Sequence, residues 1–399
     1  MKAKLSKVFL GLMVLFVATV GCRATEGQPA AVAATNEAAS PLVVAAATTN
    51  EAVAPAAVSG EIIIANWNVE NLFDAEDDPN NEGDDEYTPR SDSGKGGKGS
   101  WWRDWSEKRY GQKLGNLAEL IAAMKPDVLC LEEIENRRVL VDLCAKLKMR
   151  GVDFPTNNIL HRESTDFRGI DCAILSRVPA QDVSFVRPFD GMRDSIVATF
   201  DFDGAPVSVV ANHWKSQIGD KAQNDEKRAK QAACIRKEID RLLESSKGRA
   251  SIVVTGDFND NFACAPMVEV ALLSTNRAEV LADESGRRLF NLSAELPVEK
   301  TGTHYYKPSD TWSSFDSISV TRGMLDGTAP WVVAGGDAYE IYRYPKHVAQ
   351  EDDYAHITPG TPRPFRRIAL KGQAKRSAYS YGYSDHFPVR VKLRRAPEN

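Results

Sequence analysis

Short apolar runs that end on cation-binding or proton-moving residues recur along this chain, and they point to a sheet-based fold with one functional edge. Residues 62–67 lead into Asn68 and Glu70, 127–131 into Glu132 and Glu133, 207–212 end on Asn212 beside His213, and 251–255 lead into Asp257 and Asn259. Apolar runs of four to eight residues have the length of buried strands. Further strand candidates are 170–175, 195–200, 315–320 and 388–393. Strands assembled into a sheet set such ends along a common rim, and in an α/β fold that rim is where ligands bind.

Tyr110, Leu114, Leu117, Ile121 and Met124 recur at helical spacing, which predicts a helix capped by Ser106 and stopped before Pro126. Ala232, Ile235, Ile239 and Leu242 predict another. Between the first strand and the first helix, residues 74–105 form an insertion with eight acidic residues from Asp74 to Glu86, a Gly/Lys/Ser stretch, and Trp101, Trp102 and Trp105. Its composition predicts a flexible loop. Asp78-x-Asn80-x-Glu82-Gly83 imitates the start of a calcium loop, but Pro89 stands where the twelfth position needs a bidentate glutamate.

Lys2, Lys4 and Lys7 precede an apolar run from Val8 to Val20, too short for the roughly 20 residues that span a bilayer. Residues 1–21 therefore predict an export signal. Thr19-Val20-Gly21-Cys22 resembles a bacterial lipoprotein cleavage box, which leaves two outcomes: a lipid-anchored envelope protein or a secreted one. Residues 22–59, rich in Ala, Val, Thr, Asn and Pro, predict a disordered tether, and 60–399 a single catalytic domain. The formal net charge is -5, which opposes a general affinity for nucleic acid but leaves room for a local basic cleft. Five cysteines follow Cys22; Cys130 and Cys172 lie in apolar runs and are expected as buried small hydrophobes.

A further polar segment, Ser384-Asp385-His386-Phe387-Pro388, precedes the last strand candidate, and Asp257 and Asn259, two apart on an extended chain, project to one side. Glu133 is the first choice of ligand for a hard divalent cation, with Asn68 and Glu70 next. Together these segments, in this order from Ile62 to Arg394, resemble the endonuclease/exonuclease/phosphatase superfamily, which includes DNase I-like nucleases, abasic-site endonucleases, inositol-phosphate phosphatases and neutral sphingomyelinases.

The resemblance implies a four-layer α/β/β/α sandwich with two central, mostly antiparallel sheets. It matches Asn68 and Glu70 to the family's first-strand motif, Glu133 to its principal metal-binding glutamate, Asn212-His213 to its strand-end histidine motif, and Asp257 and Asn259 to its Gly-Asp-x-Asn motif. Asp316 matches the acidic partner and Asp385-His386 the final pair, so the metal set is Asn68, Glu70, Glu133 and Asp385. Where many relatives have Gln before the metal glutamate, this chain has Glu132. Arg168 is the leading phosphate ligand, with Asn212, Arg193 and Lys215 behind it.

The implied activity is hydrolysis of phosphate esters with Mg²⁺ or Mn²⁺. Proton transfer falls either to His386 oriented by Asp316 or to Asp257 as base, with His213 at the leaving oxygen. His161, His304, His347 and His356 are assigned to structure. The expected substrate is nucleic acid or another phosphoester, acted on outside the cytoplasm by a monomer whose membrane contact is limited to the N-terminal lipid. A phosphatase, a phospholipid phosphodiesterase and a tethered binding module without turnover are the alternatives.

Overall fold

The computed structural model describes residues 60–397 except 80, 82, 85–86, 88–104, 352–356, 366–367, 370–378 and 381. The expected export signal and tether, Trp101, Trp102 and His356 lie outside the described residues.

The chain passes from β1 (Glu61–Leu72) through α1 (Glu107–Met124) to β2 (Val128–Ile134), then through α2 (Arg137–Lys148) to β3 (Leu160–His161) and β4 (Asp171–Ser176). A meander of β5 (Ala180–Val186), β6 (Ser195–Phe202) and β7 (Ala205–His213) follows, and α3 (Lys221–Ser245) crosses to β8 (Ile252–Asp257). Next come β9 (Leu273–Ser274), β10 (Leu289–Asn291), a hairpin of β11 (His304–Tyr306) and β12 (Thr311–Ser313), and β13 (Asp316–Thr321). The remaining strands are β14 (Trp331–Val333), β15 (Tyr339–Ile341), the pair β16 (Ile368–Ala369) and β17 (Tyr379–Ser380), and β18 (Val389–Arg395).

One sheet has the order β14-β18-β1-β2-β4-β3, with β15 also on β18; the other has the order β5-β6-β7-β8-β13-β10-β9. Only β1/β2, β7/β8 and β9/β10 pair in parallel within them. Apolar residues of α1 and α2 pack on one face of the first sheet, the two sheets pack on each other, and α3 covers the far face of the second. This is the four-layer α/β/β/α sandwich with mostly antiparallel sheets. Ser106 caps α1 by accepting from the Arg109 N–H, and Lys125 ends it in the left-handed region before Pro126.

Side-chain alternation makes the functional edge. Side chains two apart on a strand share a face. On the faces between the sheets, β1 presents Ile62 and Ile64, β2 Val128 and Cys130, β7 Val207, Val209 and Ala211, and β13 Ile318 and Val320. Two residues further toward one edge, the same faces present Asn66 and Asn68, Glu132, His213 and Asp316. The apolar inter-sheet core thus gives way at one end to a polar cluster. Cys130 and Cys172 are buried, and all five cysteines from 130 to 264 are free.

The rim is irregular. β1 is longer than the 62–67 run because it continues through a register shift between Asn68 and Leu72, where Glu70 and Asn71 have φ of 55° and 59°. Glu133 (φ 63°) lies in the matching shift on β2, and Asn259 (φ 52°) follows β8. Each left-handed non-glycine residue costs ~1–3 kcal/mol. Burying each of Ile62, Ile64, Val207, Val209 and Ile318 contributes ~1.5–3 kcal/mol, enough to offset that strain.

Gly256 has φ 152°, and a Cβ there would lie 2.1 Å from the Asn212 carbonyl oxygen on neighbouring β7. Because the obstacle is backbone, it cannot swing away. Gly256→Ala is expected to destabilise the fold by at least ~3 kcal/mol. A urea unfolding midpoint within error of the parent's contradicts this.

The described residues at the two ends of the 74–105 insertion pack against one another and against Phe73 of the preceding chain. Phe73 stacks on Tyr87 at 4.0 Å, Tyr87 meets Trp105 edge-on, and the Trp105 Nε1–H donates to the Asp74 carbonyl. Asp84 and Trp105 are buried.

Candidate active site

At the polar end of the inter-sheet core, Asp316 at the start of β13 and His386 just before β18 meet, with His386 Nδ1 2.8 Å from Asp316 Oδ2. The His386 backbone is fixed from three sides. Its carbonyl accepts from Trp67 Nε1–H, its N–H donates to Ser384 Oγ, and Ser384 Oγ–H donates to the Asn68 carbonyl. Burial works against a charged His386, but the charge and hydrogen bond of Asp316, with Asp257 and Asp385 nearby, hold its pKa well above the usual imidazole value.

Asp257, at the end of β8, is buried beside this pair. Its Oδ2 accepts from Asn68 Nδ2–H at 3.0 Å, its Oδ1 accepts from the Asn259 N–H at 2.8 Å, and His213 Nε2 lies 3.6 Å from Oδ2. Burial pushes its carboxyl up to about 6, against the lowering influence of His386. Burial, followed by the positive charges of Arg193, Arg168 and His386, pushes His213 well below the usual imidazole range. His213 is therefore neutral where His386 is charged, which separates their chemistry. Asn68 uses both ends of its amide, donating to Asp257 and accepting from the Glu70 N–H.

Glu70, Glu133 and Asp385 surround a group that sequence reading passed over, the fully buried Lys113 of α1. All three carboxylates oppose the fall in its pKa to about 8 that burial causes. Its ammonium donates to the carbonyls of Val69, Glu70 and Tyr383, pinning the β1 bulge to the segment before His386. Glu70 Oε2 accepts from the Phe365 N–H at 2.6 Å, whereas Glu133 is partly open to solvent and faces Arg168 at 3.5 Å. Arg168 also donates to Asn71 Oδ1 and is half-exposed, so its guanidinium stands at the mouth of the cluster.

The other proposed phosphate ligands do not converge there. Arg193 is buried, paired with Asp166 at 2.8 Å and donating to the His213 and Trp214 carbonyls. Asn212 is fully buried; its amide donates to the Val210 and Thr255 carbonyls and accepts from Ser195 Oγ–H. Lys215 turns its ammonium to Ser216 and Ile218. These three hold strands and loops together, and Asn259 likewise donates to the Trp214 carbonyl.

Two more residues join the site. His304, assigned to structure from the sequence, lies with its ring 4.8 Å from that of His386 and its Nε2 3.9 Å from Asp385, held by an isolated bridge to His386. Glu132 is fully buried, and burial, with Asp316 and Asp257 nearby, pushes its pKa well above the usual carboxylate range. His347 is buried with Nε2 2.8 Å from the Ser384 carbonyl, among Trp67, Tyr383 and Phe387.

The donor set fits a divalent cation. Asp257 and Asp316 bring carboxylate oxygens within 4.8 Å of each other and of the His386 ring, and Asp385 stands by that ring together with His304. The buried Asp316 Oδ1 and Glu132 Oε1 have no hydrogen-bond partner, and buried acceptors of that kind are satisfied by an ion or ordered water. Glu133 belongs to neither donor group; it stands beside them with Glu70 and Asp385 around Lys113.

No curated protein matches the sequence closely. Similar solved structures include an endonuclease/exonuclease/phosphatase family protein from Bacteroides thetaiotaomicron (15% identity, 84% of this chain and 97% of that one, TM-score 0.47). A humanized TDP2 from D. rerio shows 16% identity over 84% of this chain and 99% of that one, with TM-score 0.48. A mannosyl-6-phosphatase from Bacteroides thetaiotaomicron shows 16% identity over 83% and 99%, with TM-score 0.46. The family model described as "Endonuclease/Exonuclease/phosphatase family" matches residues 63–395, a span that holds both sheets and the whole polar cluster, and the chain belongs to that family.

Proposed function

We propose that this chain is an exported, Mg²⁺- or Mn²⁺-dependent phosphodiesterase that cleaves nucleic acid and acts as a monomer. The observation that carries the chemistry is one buried cluster in which an ionisable carboxylate, a neutral imidazole and a charged imidazole each have a separate place. Asp257, with a pKa of about 6, is ionised at neutral pH and accepts the proton of the attacking water. His386 keeps its proton, donating from Nδ1 to Asp316 and offering Nε2–H to a phosphate oxygen. As the bond from phosphorus to the leaving oxygen breaks, neutral His213 donates a hydrogen bond to that oxygen, which takes up a proton from solvent water while the proton accepted by Asp257 returns to solvent. Arg168, at the mouth, binds a second phosphate oxygen.

A divalent cation, when bound, would be held by Glu133 with Glu70, Asp385 and Asn68, and would supply charge neutralisation at the phosphoryl group. Polymer binding is supported by the β11/β12 hairpin. It places Tyr305, Tyr306 and Trp312 beside a cleft of about 220 Å³ that His304, Lys307 and Asp385 also line. Tyr306 and Trp312 are 55% and 42% exposed, and base stacking on such rings is worth ~1–3 kcal/mol per base. Export rests on Lys2, Lys4, Lys7 and the apolar run to Val20.

The test is incubation with plasmid, single-stranded DNA and RNA in Mg²⁺ or Mn²⁺, with and without EDTA. Metal-dependent cleavage of at least one polymer is expected. Release of phosphate or choline phosphate from small substrates, with every polymer intact, replaces the nuclease reading by a phosphatase or lipid phosphodiesterase.

A further inference from the structure

Three further side chains converge on the outer face of the first sheet. The β3/β4 register pairs His161 with Ala173, and Ala173 packs into the α1/α2 layer. His161 and Asp171, the latter two residues before Ala173, therefore project toward that layer and away from the space between the sheets. His161 Nε2 lies 3.3 Å from Asp171 Oδ2, and His161 Nδ1 lies 3.9 Å from Glu163 Oε1. The His161 and Asp171 side chains are 2% and 3% exposed.

Although buried, His161 Nε2 makes no hydrogen bond, because its direction toward Asp171 is unsuitable. Two donor atoms 3.3 Å apart that do not point at each other are spaced as neighbours around one cation. Bonds of ~2.0–2.2 Å at tetrahedral or octahedral angles put adjacent donors ~2.8–3.6 Å apart. Burial pushes the Glu163 carboxyl up to about 7 against the lowering influence of His161, and the neighbouring Asp171 carboxylate adds to the rise, so a cation between the two carboxylates would relieve their repulsion. One donor atom from each of the three residues lies within 4.8 Å of the other two.

The acidic insertion adds to the attraction. Asp78 acts on Glu163, and Asp74, Asp84 and Glu163 act together on Glu135. The insertion is also seated here: a Cβ on Gly83 would lie 2.2 Å from the Arg168 carbonyl oxygen, and one on Gly169 would meet Asn81. Ser164 N–H completes the fixing of Asp171 by donating to its Oδ1.

We propose that His161, Glu163 and Asp171 form a second divalent-cation site, distinct from the catalytic one, that ties β3 to the start of β4 on the outer face of the first sheet. One imidazole nitrogen and two carboxylates suit Mn²⁺ or Zn²⁺ rather than Ca²⁺, which takes oxygen donors. The site stands whether or not the catalytic reading does.

Mn²⁺ is the probe, since the five free cysteines compete for Zn²⁺. The full chain carrying Glu133→Ala, which weakens the catalytic site, is stripped of metal and dialysed against Mn²⁺, and bound metal is counted. One tight equivalent is expected, with a thermal midpoint about 3–6 °C higher at saturating metal. Adding Glu163→Gln or His161→Asn should remove both the equivalent and the shift. Glu163 is exposed, so Glu163→Gln decides the matter should His161→Asn fail to fold. Glu163→Gln in the otherwise unchanged chain should keep its metal-supported hydrolysis. Retention of the equivalent in Glu163→Gln, or no tight equivalent in the Glu133→Ala chain, overturns the proposal.

Discussion

Asp257→Asn is expected to lower kcat/KM on a phosphodiester by about 10³–10⁴-fold, the loss that accompanies removal of a positioned proton acceptor. At ~1.36 kcal/mol per decade this is ~4–5.5 kcal/mol of transition-state stabilisation. Asparagine keeps the shape and can still accept one of the two hydrogen bonds that hold the carboxylate, from Asn68 or from Asn259. The fold should therefore survive, and a buried carboxyl that burial already disfavours is removed. The same residue sets the acid side of the pH profile. Below its pKa Asp257 carries a proton and cannot take another, so log kcat/KM should climb as pH rises and level off above the pKa. In the cation-free protein that value is about 6; positive charge in the cluster favours the carboxylate and moves the limb lower. An acid limb that persists in Asp257→Asn, or a loss under tenfold, assigns the base elsewhere.

The strands and their polar ends were legible because burial on both faces forces near-continuous apolar runs, and the rim residues interrupt them. The end of β1 was not, because Asn68, Glu70 and Asn71 read as a loop although the strand continues through its bulge to Leu72. Lys113 carried a signal that went unused: it stands three residues after Tyr110, inside the apolar stripe of α1, where a charged residue must have buried partners. His304 carried none, since its neighbours in sequence are a short exposed hairpin and its place beside His386 comes from a long-range bridge. Arg193, Asn212 and Lys215 could not be sorted from Arg168 by residue type. What separates them is where their donors go, and backbone carbonyls as acceptors leave no mark in a sequence.

The Asp316–His386 pair yields the second large effect, and a double-mutant cycle distinguishes a working unit from two neighbours. His386→Ala alone should cost about 10²–10³-fold in kcat, and Asp316→Asn about 10²-fold, because each removes the charged imidazole's function by a different route. Groups that act as a unit are not additive, so the double variant should be no slower than His386→Ala within a factor of about three. The pH profile gives Asp316 a readout that a purely structural role does not move. Activity requires protonated His386, and the Asp316 charge and hydrogen bond raise its pKa; without them the pKa falls. The alkaline limb of kcat/KM in Asp316→Asn should therefore shift to lower pH, while the acid limb set by Asp257 stays or moves slightly down as repulsion between the carboxylates is relieved. Additive losses, or an alkaline limb that stays in place, mean that Asp316 holds the strand end without tuning the imidazole.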